Sequence, residues 1–259
     1  MKLLILIAVT ILSFYFAESR QRKSDGRIIS RPNCSDWESL IDPYANTTFI
    51  FSDASFNFPK DVKEMSFTTC PKLMAASNRL NAGIKRCLKP FPETIAGFFA
   101  YGARDGIRKS CSSPDGRAAY VNNMRCIRDF SRTAQLNQLM DEYSRDLIAI
   151  KETVPRRLKF DVLYCTYMKL RRDVRSICLS YSCSSEATQY ILDTMDGSMR
   201  DGMRAFDMIS MTYQKDPSKC APVMRTYPLN PMMNIDKRQT SFLIPLIHIL
   251  NSIGSELYA

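Results

Sequence analysis

The sequence predicts an all-α protein, a disulfide-stapled bundle of about five or six helices. Three observations carry this expectation. Apolar residues recur at three- and four-residue spacing over most of the chain, the period of a helix with one buried face. Alternating strand-like runs are scarce and only 9 of 259 residues are glycine, which leaves an all-β or doubly wound sheet with little support. The 9 cysteines all lie beyond an N-terminal export pattern, where they read as a disulfide framework. The 45% hydrophobic content suits a folded globule, and no fixed-period repeat is visible.

The export pattern is Lys2 followed by an apolar run from Leu3 to Leu12, then Phe14-Tyr15-Phe16 and the small residues Ala17 and Ser19. One positive charge, a short apolar core and small residues make a signal peptide over 1–19, and the run is shorter than the roughly 20 residues of a spanning helix. The expected location is extracellular. Residues 20–33 carry Arg20, Arg22, Lys23, Arg27 and Arg31 without apolar periodicity and read as a flexible basic arm. Residues 34–259 read as a single helical domain, with a possible subdivision near 153.

The elements follow in order. Residues 37–58, with Pro43 and Asn46, suggest an ordered but irregular opening segment. From about 61 to 88, Cys70, Leu73, Ser77, Leu80, Ile84 and Cys87 share one helical face. Pro90 and Pro92 stop that helix, and Pro92 opens the next, with Ile95, Phe99 and Ile107. Ser113-Pro114 is a cap followed by a first-turn proline. Its helix runs through Tyr120 and Ile127, bends near Ser131, and continues through Leu136 to Ile150. Val154-Pro155 opens a helix with apolar residues on two sides, expected to be the most buried. A fifth helix follows Ser184-Ser185-Glu186, and a Pro-rich loop from Asp216 to Pro231 precedes the last one. That last helix, Phe242–Leu250, is broken by Pro245 and followed by Asn251, Ser252 and Glu256, so it reads as a packed amphipathic helix, not a removable tail anchor. No transmembrane segment is expected.

Helix geometry constrains the cysteines. Cys70 and Cys87 on one straight helix stand roughly 25 Å apart and cannot bond each other. A second helix folding back brings Cys111 to the level of Cys70, and a third rising again brings Cys126 toward Cys87. The expected pairs are Cys70 with Cys111 and Cys87 with Cys126, and by the same logic Cys165 with Cys220. Cys178 then pairs with Cys183 or Cys34. Nine is odd, so one sulfur is left as a buried thiol or an intermolecular link. Metal ligation is not expected: no CxxC occurs, and His248 is the single histidine. The glycosylation acceptors are Asn46-Thr47-Thr48, read as a polar loop and preferred, and Asn33-Cys34-Ser35.

The stretch from Cys70 to Cys126 resembles the helical, cysteine-rich haemolymph glycoprotein family of arthropods and similar secreted proteins of mites and ticks. The residues that carry it are Lys85-Arg86-Cys87-Leu88-Lys89-Pro90-Phe91-Pro92, then Phe99, Gly102, Arg104, Cys111 and the helix reaching Cys126. They span about a quarter of the chain. The resemblance implies an extracellular helical glycoprotein of no established activity, with no catalytic residue to carry over.

No chemistry-bearing constellation emerges. The nucleophile elbow, the dinucleotide-binding glycine motif and the phosphate loop are absent. His248 sits among Ile and Leu as a packed, hydrogen-bonded histidine would. Asp193, Asp196 and Asp201 miss the calcium-loop spacing and read as a solvated helix face. No enzyme and no cofactor are expected. The net charge of +10 gathers in the arm, at Lys85, Arg86 and Lys89, at Arg156, Arg157 and Lys159, and from Lys169 to Arg175. Outside a cell that favours polyanions, meaning glycosaminoglycans or anionic lipid surfaces, whereas no nucleic-acid module is present. The 14 Met and 14 Phe raise an apolar-ligand carrier as an alternative. The expected function is a non-catalytic binding or structural role in extracellular fluid.

Overall fold

The computed structural model describes residues 34–49, 52, 56–88, 90–209, 217–227 and 241–254. The expected signal peptide, the basic arm and Asn33 lie outside them. The described residues form one compact unit. Its helices are α1 (Trp37–Thr48), α2 (Cys70–Cys87), α3 (Pro90–Cys111), α4 (Pro114–Met124), α5 (Phe130–Thr153), α6 (Lys159–Ser180), α7 (Ser185–Ile209), α8 (Cys220–Thr226) and α9 (Leu243–Gly254). No strand occurs among the described residues, and the protein is an all-α bundle stapled by disulfides.

Helix α3 lies between α2 and α7 and also packs on α4 and α9; α5 packs on α6, and α6 on α7. The C-terminal α9 joins residues on both sides of 153, because it packs on α1, α3 and α5. Its inner residues Leu243, Ile244, Leu246, Ile247, Ile249 and Leu250 are all buried. Each removes apolar area worth roughly 1.5–3 kcal/mol from water, so this short helix is a central wedge of the core.

Two corners are built alike. After α3, the Ser113 side chain caps α4 by accepting the Gly116 N–H at 2.9 Å, and Arg117 reaches back to the Cys111 carbonyl at 2.5 Å. A Cβ at Gly116 would collide with the Lys109 carbonyl oxygen, so only glycine fits this close approach. After the 3-10 turn Arg125–Ile127, Asp129 caps α5 at the Ser131 N–H and Arg132 reaches the Cys126 carbonyl at 2.7 Å. The bend expected near Ser131 is therefore a full break at Arg128-Asp129.

Further expectations are corrected. The opening segment contains the twelve-residue helix α1 with Pro43 inside it. Proline normally breaks a helix interior, but Ile41 and Ala45 are fully buried and α1 packs along α2. Tertiary packing outweighs the local cost. The Pro-rich loop holds the short helix α8 at its start. The helix expected over 61–88 is present and runs without a break from Val62 to Cys87, with a π-helical stretch at Met65–Thr69 between a short α-helical start, Val62–Glu64, and α2.

The four disulfides are Cys34–Cys87, Cys70–Cys111, Cys126–Cys183 and Cys165–Cys220. The antiparallel argument holds for Cys70 with Cys111 and for Cys165 with Cys220. It fails for Cys87 with Cys126 because α4 has only 11 residues, roughly 16 Å of rise, and cannot climb the length of α2. Helix α4 instead packs on α7, whose entrance supplies Cys183. Cys87 takes Cys34 at the start of α1, the helix the sequence pattern concealed. Cys178 pairs with neither Cys183 nor Cys34: it is a free thiol, 0% exposed. Burial pushes its pKa up and shields it from a second chain, which argues against an intermolecular bond through this sulfur.

Candidate functional site

The basic clusters sort into two kinds. In the first, structure consumes the charge. Arg156 Nη2 donates to the Ile253 carbonyl at 2.6 Å, satisfying the C-terminal end of α9. Lys159 is 7% exposed and its ammonium donates to the Lys151 carbonyl at 2.8 Å and to Ser252 Oγ at 3.2 Å. Burial lowers its pKa. On α6, Lys169 pairs with Asp173 at 3.4 Å, Arg172 with the same carboxylate at 3.3 Å, and Arg171 with Asp196 at 3.0 Å.

The second kind, the outer face of α2, is marked by the single sign of its own charged side chains. Its exposed residues are Pro71, Lys72, Ala75, Asn78, Arg79, Ala82, Lys85 and Arg86. Four are cations and none is acidic; the whole helix contains no Asp or Glu. The opposite face, with Leu73, Ala76, Leu80 and Ile84, is buried. Two side chains lean on aromatic rings: Lys72 Nζ stands 5.8 Å from the Phe56 centroid, and the Arg79 guanidinium 5.6 Å from that of Tyr44. Lys85 acts on Glu93, whose carboxyl is raised by burial and lowered by that ammonium. Disulfides clamp the first and last residues of the helix, Cys70 to α3 and Cys87 to the start of α1. Sequence reading singled out Lys85 and Arg86 but missed Lys72 and Arg79. The available signal was the acid-free helix with cations at seven-residue spacing. Lys89 lies outside the described residues.

A recess between α5 and α6 gathers a second set of titratable groups. Its walls include Leu139, Tyr143, Asp146, Lys169 and Asp173, and its empty space, open mouth included, is about 190 Å³. Ligand pockets begin near 300 Å³, so this recess does not hold an apolar ligand. Asp146 is pushed up to about 6, chiefly by burial, with Lys169 acting the other way. Several Phe and Met lie in the core: Phe49 stacks edge-on against Phe242 at 4.8 Å and Phe56 against Phe58 at 5.1 Å, while Met65, Met124 and Met140 are buried.

The remaining sequence candidates are structural. His248 Nε2 lies 2.8 Å from Glu38 Oε1 and its ring 5.5 Å from Trp37, tying α9 to α1. Asp196 is no solvated residue: it accepts from the Tyr167 hydroxyl and from Arg171, linking α6 to α7. Asp193 accepts from Gln189 at 2.8 Å, and the Asp201 side chain is outside the description. Asn46 sits in the last turn of α1 and not in a loop, with its Oδ1 and the Thr48 hydroxyl both buried. Among the described residues no group of three or more His, Cys, Asp or Glu could hold a metal ion, and no helix is long and apolar enough to cross a membrane.

No family model, curated protein or solved structure matches the chain. The resemblance over Cys70–Cys126 thus stands on its own residues.

Proposed function

We infer that this protein acts outside the cell as a non-catalytic binding protein, and that the outer face of α2 is its binding surface for an anionic partner. The observation that carries this is a helix with four exposed cations and no carboxylate, clamped by a disulfide at each end. A fixed helix loses little freedom when it binds, so more of the interaction energy appears as affinity. The export pattern over 1–19, the four disulfides and the resemblance over Cys70–Cys126 support the extracellular setting.

Two measurements test the reading. Expressed in a eukaryotic secretory host, the protein should accumulate in the medium with its N-terminus near residue 20; retention inside the cell would count against export. The purified protein is then passed over heparin, polyglutamate and phosphatidylserine vesicles beside a variant with Lys72, Arg79, Lys85 and Arg86 changed to Gln. Loss of retention on at least one support, with an unchanged melting curve, is expected. Equal retention of both proteins on all three sinks the reading.

A further inference from the structure

We propose that the α2 face binds an extended sulfated polysaccharide, with Lys72, Arg79 and Arg86 as the contacts to successive anionic groups. This rests on the reading above and names its ligand. The three cations are seven residues apart, which is two helical turns, so they stand in a line with roughly 10.5 Å between neighbours and roughly 21 Å end to end. A compact anion such as free phosphate reaches one of them at a time. A linear polymer reaches all three.

The residues between the cations narrow the class. Asn78 is exposed and Asn81 half-buried, and their carboxamides both donate and accept, which suits sugar hydroxyls and sulfate oxygens. Surfaces that enter a bilayer interleave cations with large apolar side chains; the exposed apolar residues of α2 are only Pro71, Ala75 and Ala82. One exposed ring, Phe67, stands in the π-helical stretch just before it. Single-stranded nucleic acid calls for a row of free aromatic rings on which bases stack, and the two rings nearest the strip, Phe56 and Tyr44, are covered by Lys72 and Arg79. Those same contacts hold the two cations in place before the ligand arrives. Lys85 stands off the seven-residue line, one position before Arg86, so Lys85 is left out of the strip.

The test uses the full secreted chain and heparin, titrated calorimetrically at several salt concentrations. The triple variant Lys72→Gln, Arg79→Gln, Arg86→Gln is compared with a control that removes three exposed charges elsewhere, Arg172→Gln, Arg175→Gln and Arg225→Gln. The strip variant should lose at least tenfold in affinity, and its dependence of log affinity on log salt should flatten by about 0.7–0.9 per cation removed if counterion release follows the scale of nucleic-acid phosphates. The control should lose less than threefold, and Phe67→Ala should change nothing. Equal losses in strip variant and control overturn the proposal. So does binding to phosphatidylserine vesicles or polyglutamate that depends on α2 and exceeds binding to heparin, although the broader anionic-partner reading then survives. If no support binds through α2, both fall. Thermal melts of every variant separate these outcomes from misfolding.

Discussion

Helices α2 and α6 are both cation-rich, yet only α2 presents a face of a single sign. Helix α2 carries four cations and no acid, whereas α6 carries five cations with Asp161 and Asp173 among them. On α6 most of the charge is spent locally: Lys169 and Arg172 on Asp173, Arg171 on Asp196, Lys159 on backbone carbonyl and hydroxyl. Exposed pairs of that kind are worth about 0–1 kcal/mol each, so their main effect is to cancel the local field. A count of Lys and Arg therefore says little about binding. The placement of the acids decides which face is available.

The strongest way to break the comparison is to unclamp α2. Replacing Cys70 and Cys111 by Ala opens a loop of 41 residues, and Cys34 with Cys87 one of 53; each loss should cost about 4 kcal/mol, read as a shift in the denaturant midpoint. Removing Cys165–Cys220 should cost a similar amount, since its separation is 55. Heparin affinity should fall only when α2 is released. Equal weakening in all three would mean that rigidity of the strip is irrelevant.

Next in size is the link between α6 and α7. Asp196→Ala removes the acceptor of both the Tyr167 hydroxyl and the Arg171 guanidinium. The pair is partly exposed, so the expected cost is on the order of 1–2 kcal/mol. Tyr167→Phe in the Asp196→Ala background should then cost much less than in the native chain, and a double-mutant cycle measures the difference.

Smaller still is the effect of Asp146. Its pKa in the folded protein, about 6, lies above the ordinary value of 3.8, so the folded state holds the proton more tightly than the unfolded one. Its contribution is fully present below about pH 4 and is lost as pH rises through about 6. At pH 7 the buried charge is a liability, and Asp146→Asn should stabilise by on the order of 1 kcal/mol after allowance for partial solvent screening. Melting temperatures of both proteins from pH 4 to 7 should converge at the acid end. A gap that does not vary with pH would remove this account.

Much of this was legible in the chain, for physical reasons. Leu73, Ser77, Leu80 and Ile84 announce the inner face of α2 through their spacing, and antiparallel neighbours bring Cys70 to Cys111 without further information. What the pattern concealed was long-range. Pro43 argues locally against α1, and only its packing on α2 reverses that, so the partner of Cys87 could not be read. The spent charges on α6 were equally hidden, because Asp196 is contributed by a helix that starts five residues after α6 ends. The cations of α2 were legible in principle, since the absence of acids on a helix is a property of its own sequence.

The smallest predicted effect is also the one that sharpens the comparison most. Asp173→Asn takes from α6 the carboxylate shared by Lys169 and Arg172, and because those pairs are largely solvated its stability cost should stay within about 0.5 kcal/mol. It also removes a charge that raises Asp146, so Asp146 should titrate slightly lower. The variant leaves α6 with two released cations beside Arg171 and Arg175, a patch of net charge similar to that of α2 but without the line of seven-residue steps. If heparin affinity rises less than twofold, the arrangement of Lys72, Arg79 and Arg86 is what the ligand recognises. A rise comparable to the loss caused by neutralising α2 would mean that local net charge suffices, and the register of the strip would then carry no specificity.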